Sequence, residues 1–154
     1  MEERIQRATR LFKSGYNCSQ SVVAAFADMY GFTEEQALRM SASFGGGIGR
    51  MRQTCGAACG MFLLAGLEKS AVDGADKEGK AANYALVQEL AAEFKKRTGS
   101  LNCGELLGLK KKEAVSSVPE ARTEQYYAKR PCVRMVEEAA RIWAEYLENR
   151  REQG

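Results

Sequence analysis

The residues of this chain with most chemical potential are its five cysteines. Four of them sit in similar surroundings: "NCSQ" around Cys18, "TCGA" around Cys55, "NCGE" around Cys103 and "PCVR" around Cys132. In each, the preceding residue suits the start of a helix. Asn and Thr are N-cap residues, and Pro favours the first helical position. Asn17 with Gln20, and Asn102 with Glu105, have the spacing of capping boxes with Asn in the place of Ser or Thr. All four cysteines are therefore expected at helix N-termini. There, unpaired backbone N–H groups and the positive end of the helix dipole favour a thiolate over a thiol. A thiolate attacks disulfides and binds metals, and helix starts are among the settings that lower a cysteine pKa. The competing reading is burial, because a free cysteine packs as a small apolar group.

Cys59 differs from the other four. One turn after Cys55, it falls on the same helix face with Cβ atoms about 5–6 Å apart, too far for a disulfide without opening the turn. Core packing is its expected role. "FGGGIGR" (44–50) lacks the G-K-[ST] ending of a phosphate loop and no strand precedes it. It reads as a connector that brings backbone close to Cys55, with Arg50 and Arg52 adding positive charge there. "KKKE" at 110 reads as a solvated face.

The chain has no histidine. Cys–His nucleophilic catalysis, His-ligated zinc, axial His haem ligation and Glu-x-x-His di-iron bundles all need an imidazole and are excluded. The net charge of +3 is spread along the chain, which argues against a nucleic-acid partner. The start "MEERIQRATR" is charged throughout, and the longest apolar run, 57–67, is too short to span a bilayer. The expectation is a cytoplasmic protein without membrane insertion. Five cysteines in that reducing compartment point to redox or metal chemistry rather than to a static disulfide framework.

These cysteines have to be positioned by helices. The 154 residues include twenty-two alanines and three isoleucines, and no stretch has the β-branched alternation of a strand. An all-α single compact domain spanning 1–154 with about six helices is expected. Caps and apolar period place helices at 2–13, 18–30, 33–42, 55–67, 75–98 and 132–148, with a short turn at 103–108. The 55–67 helix is apolar on every side and should be central. Residues 109–130 give the least defined pattern.

"GYNCSQ", "FGGGIGRMRQTCGAACG", "NCGELLG" and a cysteine opening a C-terminal helix, in that order, resemble the four-cysteine CGAxxG (C_GCAxxG_C_C) family of redox-active proteins. The resemblance covers roughly residues 11 to 147, and the CGAxxG motif is "CGAACG", 55–60. It implies that Cys18, Cys55, Cys103 and Cys132 are the family cysteines, whereas Cys59 occupies a free position of the motif. Related sequence accompanies haem-binding parts in split-Soret cytochromes. This chain has no haem motif, so the resemblance implies the helical cysteine-bearing module alone.

Three functions stay open on these grounds. The first is thiol–disulfide or electron-transfer chemistry at a cluster of Cys18, Cys55, Cys103 and Cys132, with Cys55 attacking and any of the others resolving. The protein would then be a thiol-dependent oxidoreductase, and its partner a redox protein or a small thiol or disulfide. The second is an iron–sulfur or zinc protein using the same four cysteines as ligands. The third is a non-enzymatic helical interaction domain with buried thiols. A homodimer is compatible with each.

Overall fold

The computed structural model describes residues 1–109 and 115–153, and the "KKKE" reading lies outside them. The protein is all-α. Its helices are α1 (Glu2–Lys13), α2 (Cys18–Ala24), α3 (Glu34–Ser41), α4 (Gly56–Glu68), α5 (Lys77–Thr98), α6 (Cys103–Leu106), α7 (Glu124–Lys129) and α8 (Cys132–Gln153). Short 3₁₀ turns occupy Ala27–Tyr30 and Ala42–Phe44. Among the described residues the only β pairing is an isolated antiparallel bridge between Thr54 and Asn102.

The apolar period dictates the packing. Helix α1 buries Ile5, Ala8 and Phe12 along one face and lies against α8. Helix α4 is apolar all round and packs against α2, α5 and α8, the central place expected of it. Phe12, Phe26, Met61, Leu64, Phe94 and Trp143 are fully buried in one contiguous core.

Two elements differ from the sequence reading. The expected helix over 18–30 divides, because Phe26 leaves helical geometry at φ −128° and the chain resumes as the 3₁₀ turn. The turn buries Phe26 fully, and the run ends at Gly31 in the left-handed region. Within 109–130, α7 forms behind a Thr123 cap that accepts from Tyr126 N.

"GGGIGR" forms an unusual connector. Gly46, Gly47, Ile48, Gly49 and Arg50 all have positive φ, between 58° and 76°. The segment is thus a turn of left-handed helix, and Arg52 at φ 59° follows it. Each non-glycine residue there costs roughly 1–2 kcal/mol in backbone strain. The turn is tied down by Gly49 N–H donating to Ser43 O (2.8 Å) and Gln53 N–H to Gly47 O (2.9 Å). Gly45 lies directly on Asn17, where a Cβ would stand 2.3 Å from Asn17 Cγ.

Candidate functional site

Each of the four family-position cysteines sits at a helix start, and local caps put it there. Asn17 forms the full capping box with Gln20, so Cys18 is the first residue of α2. Asn17 Nδ2 also donates to Ala42 O (2.9 Å), tying that cap to the residues before the glycine turn. Cys55 is itself the N-cap of α4. Cys103 opens α6 behind Asn102, whose side chain accepts from Glu105 N (2.9 Å). This box is only half made, because the Glu105 carboxylate takes the Ser100 hydroxyl and Asn102 N–H donates to Ser100 Oγ instead. Cys132 opens α8.

Cys18, Cys55, Cys103 and Cys132 all line one cavity of about 290 Å³. The glycines bring its walls together. Gly56 lets Cys18 approach α4, since a Cβ there would lie 3.3 Å from Cys18 Cβ and 2.9 Å from Phe44 O. Gly47 lies on the Cys103 side, where a Cβ would meet Cys103 Cβ at 2.5 Å. The Thr54–Asn102 bridge fixes Cys55 and Cys103 through Cys55 N–H to Leu101 O and Cys103 N–H to Gln53 O, both 2.6 Å. The two cysteines flank the bridge on one face of this short ribbon. Cys59 does not line the cavity. It is buried with its thiol toward Thr54 O at 3.8 Å.

The four thiols differ sharply in acidity. Cys132 is half-buried and pulled down to about 7. The neighbouring Cys18 thiol is the main cause, and the charges of Arg130, Arg122 and Arg52 add to it against the effect of burial. Cys18 is pushed well up, first by holding its proton toward Cys132 and then by burial. Burial pushes Cys55 up to about 12 despite the Ala57 and Ala58 backbone N–H groups of its helix start. Burial also raises Cys103, with the Arg52 guanidinium working against it. Cys59 rises to about 11 by burial.

These findings reassign two sequence readings. Cys55 is only 4% exposed, and burial raises its thiol despite the helix start, whereas Cys132 is the cavity thiol that is lowered. The two arginines do not serve Cys55 either. Arg52 Nη1 lies 3.7 Å from Cys103 Sγ, and Arg50 donates to the Ser116 and Val118 carbonyls.

Sequence reasoning missed Arg122, Tyr126 and Arg130. Arg122 stacks on Phe12 and Tyr126, 4.4 and 5.0 Å from the ring centroids, and donates to Phe12 O and Tyr16 O. Arg130 lies 5.4 Å over the same Tyr126 ring and pairs with Glu120 at 2.6 Å. The sequence "RPC" at 130–132 was a usable signal for Arg130; Arg122, ten residues before Cys132, gave none.

Among the described residues no three Cys, Asp or Glu side chains stand close enough together to hold a metal ion. The four thiols line a common space without forming such a group as they stand.

The family described as "Putative redox-active protein (C_GCAxxG_C_C)" matches residues 16–146. The chain belongs to this family. The match spans all four helix starts that face the cavity, and it makes redox chemistry the family-level function. Neither curated proteins nor solved structures give a match. No described helix of this C_GCAxxG_C_C member is long and apolar enough to cross a membrane.

Proposed function

We propose that this protein is a thiol–disulfide oxidoreductase whose working dithiol is Cys132 and Cys18. The observation that carries the reading is the pairing itself. Two cysteines at two helix starts share one cavity, and the more exposed is shifted toward thiolate while the more buried is shifted toward thiol. This is the asymmetry an attacking and a resolving thiol need, since a thiolate near ambient pH attacks best.

The exchange balances as follows. The Cys132 thiolate attacks one sulfur of a substrate disulfide, R–S–S–R′. A bond forms between Cys132 and R, the substrate S–S bond breaks, and R′S⁻ leaves to take a proton from solvent. Cys18 then gives up its proton and attacks the Cys132 sulfur. The Cys18–Cys132 bond forms and RS⁻ leaves with that proton. Two electrons pass from the dithiol to the substrate, which ends as two thiols. A dithiol reductant returns the protein to its starting state by the same steps in reverse. Arg122 and Arg130, stacked on Tyr126, hold positive charge beside the attacking sulfur throughout. Cys103 and Cys55 line the same cavity.

The test is the set of single Cys→Ser variants of the reduced protein, mixed with a disulfide and analysed by non-reducing peptide mapping. Cys132→Ser should abolish exchange, and Cys18→Ser should accumulate a mixed disulfide on Cys132. Exchange that survives in Cys132→Ser would overturn the assignment.

A further inference from the structure

The cavity that holds the dithiol carries an uneven charge. Arg50, Arg52, Arg122 and Arg130 line it, against the single carboxylate of Glu120. Glu120 is paired with Arg130 at 2.6 Å. Among the described residues no carboxylate lies within ion-pair distance of the other three. Arg50 and Arg122 spend their N–H groups on backbone carbonyls. Such bonds fix a guanidinium in place without cancelling its charge. Arg52 donates to Cys103 Sγ at 3.7 Å, which puts an uncompensated cation on the thiol-bearing wall itself. Three of these arginines act electrostatically on the Cys132 sulfur. The net positive field is therefore felt where a substrate sulfur must arrive.

Size narrows the substrate further. A space of about 290 Å³ is at the small end of ligand pockets, which run from about 300 Å³, and suits a low-molecular-weight disulfide. The tip of the wall is also closed in, since Ser117, Pro119 and Glu120 of the 115–123 segment line the same space, and Arg50 holds that segment by the Ser116 and Val118 carbonyls.

We infer that the substrate class is a small disulfide bearing carboxylates, drawn in and oriented by Arg52, Arg122 and Arg130 so that its sulfur meets Cys132. This rests on the Cys132–Cys18 dithiol proposed above. A carboxylate suits these groups because a guanidinium fork matches its two oxygens. A charged cavity wall focuses an oppositely charged substrate and raises its on-rate by roughly 10–10³.

The experiment uses the full reduced chain under anaerobic conditions and three aliphatic disulfides of different charge. These are dithiodipropionate (a dianion), bis(2-hydroxyethyl) disulfide (neutral) and cystamine (a dication), with insulin as a protein disulfide. Formation of the Cys18–Cys132 bond is followed by acid quench and mass spectrometry. Each rate is divided by that of the same disulfide with 2-mercaptoethanol thiolate, which removes differences in leaving group. The expected order is dianion, neutral, dication, with at least about ten-fold between the extremes. At about 1 M salt, where the Debye length is ~3 Å, the spread should contract. Arg52→Gln should contract it at low salt, and Arg52→Lys, which keeps the charge, should restore much of it.

Equal normalised rates for all three small disulfides, or a spread that ignores salt, would overturn the inference while leaving the dithiol intact. A normalised rate for insulin above that of the dianion would overturn the small-substrate part. If no probe yields a Cys18–Cys132 bond, the dithiol itself has failed and the inference falls with it. The wild-type salt series keeps the test valid should Arg52→Gln fold poorly.

Discussion

Replacing Cys18 by Ala should change how Cys132 titrates, because the Cys18 thiol is the largest cause of its low pKa. Alanine removes the donor and adds no bulk beside Gly56. A native Cys132 that titrates at about 7 is half thiolate at neutral pH; at the ordinary value of 9.0 only about 1% would be. Loss of the whole effect would cut the thiolate population about fifty-fold. Nucleophilicity rises with basicity at a Brønsted slope of about 0.4–0.5, which returns a factor of about eight. The net result at pH 7 is a fall of up to about six-fold in alkylation rate, while the high-pH plateau rises by up to about eight-fold. The pH–rate curves of the two proteins should therefore cross. The assay is iodoacetamide labelling of Cys132, resolved by peptide mapping between pH 5 and about 10, a range set to bracket both values. A Cys18→Ala midpoint still near 7 would show that the arginines alone hold the thiolate. A native midpoint near 9 would refute the thiolate, and an equal loss of rate at every pH would mark structural damage instead.

Three further outcomes follow from the same geometry. Gly47→Ala places a Cβ 2.5 Å from Cys103 Cβ and 2.8 Å from Arg52 Cα at φ 76°; left-handed strain and overpacking together should cost about 2–5 kcal/mol in urea unfolding. Ser19 Oγ is buried with no hydrogen-bond partner among the described residues, so Ser19→Ala should be neutral or slightly stabilising, and a loss above about 1 kcal/mol would reveal a missing partner. Stability of the reduced protein should change with pH in two senses. Cys132 is ionised in the folded state from about 7, while the unfolded thiol still binds its proton, so stability rises from about pH 7 to 9. Cys55 and Cys59, raised to about 12 and 11, keep protons that the unfolded chain releases above about 9, so stability then falls, each group contributing up to about 1.4 kcal/mol per pH unit. Denaturant midpoints measured across that range check both slopes.

What could be read from the sequence was what neighbouring residues decide. Asn17 and Gln20 have capping-box spacing, and the box is present. The even apolar surface of α4 announced its central position in the same way. The half-made box at Asn102 failed for a local reason too, as Ser100 competes for both partners. Thiol acidity was not legible, because it depends on who faces whom. Cys132 is lowered by Cys18, on another helix, and by Arg130 and Arg122, both stacked on the Tyr126 ring. Cys55 loses the advantage of its helix start to burial, and burial follows from the packing of α2, α4 and the glycine turn together. The spacing of "GGGIGR" marked a connector, but five successive left-handed residues, two of them not glycine, are set by what the turn has to touch.

Cys18 and Cys132 lie 114 positions apart along the chain, so a bond between them would close most of it into a ring. In the chain-entropy picture such a ring removes about 5 kcal/mol of freedom from the unfolded state. The same quantity appears in the thermodynamic cycle as a push that folding gives to bond formation. Without strain in the folded bond, this amounts to about 100 mV more reducing power than the same two thiols have in an unfolded chain. The fold thus acts as part of the redox couple, and unfolding the reduced chain would leave the same two thiols a weaker reductant.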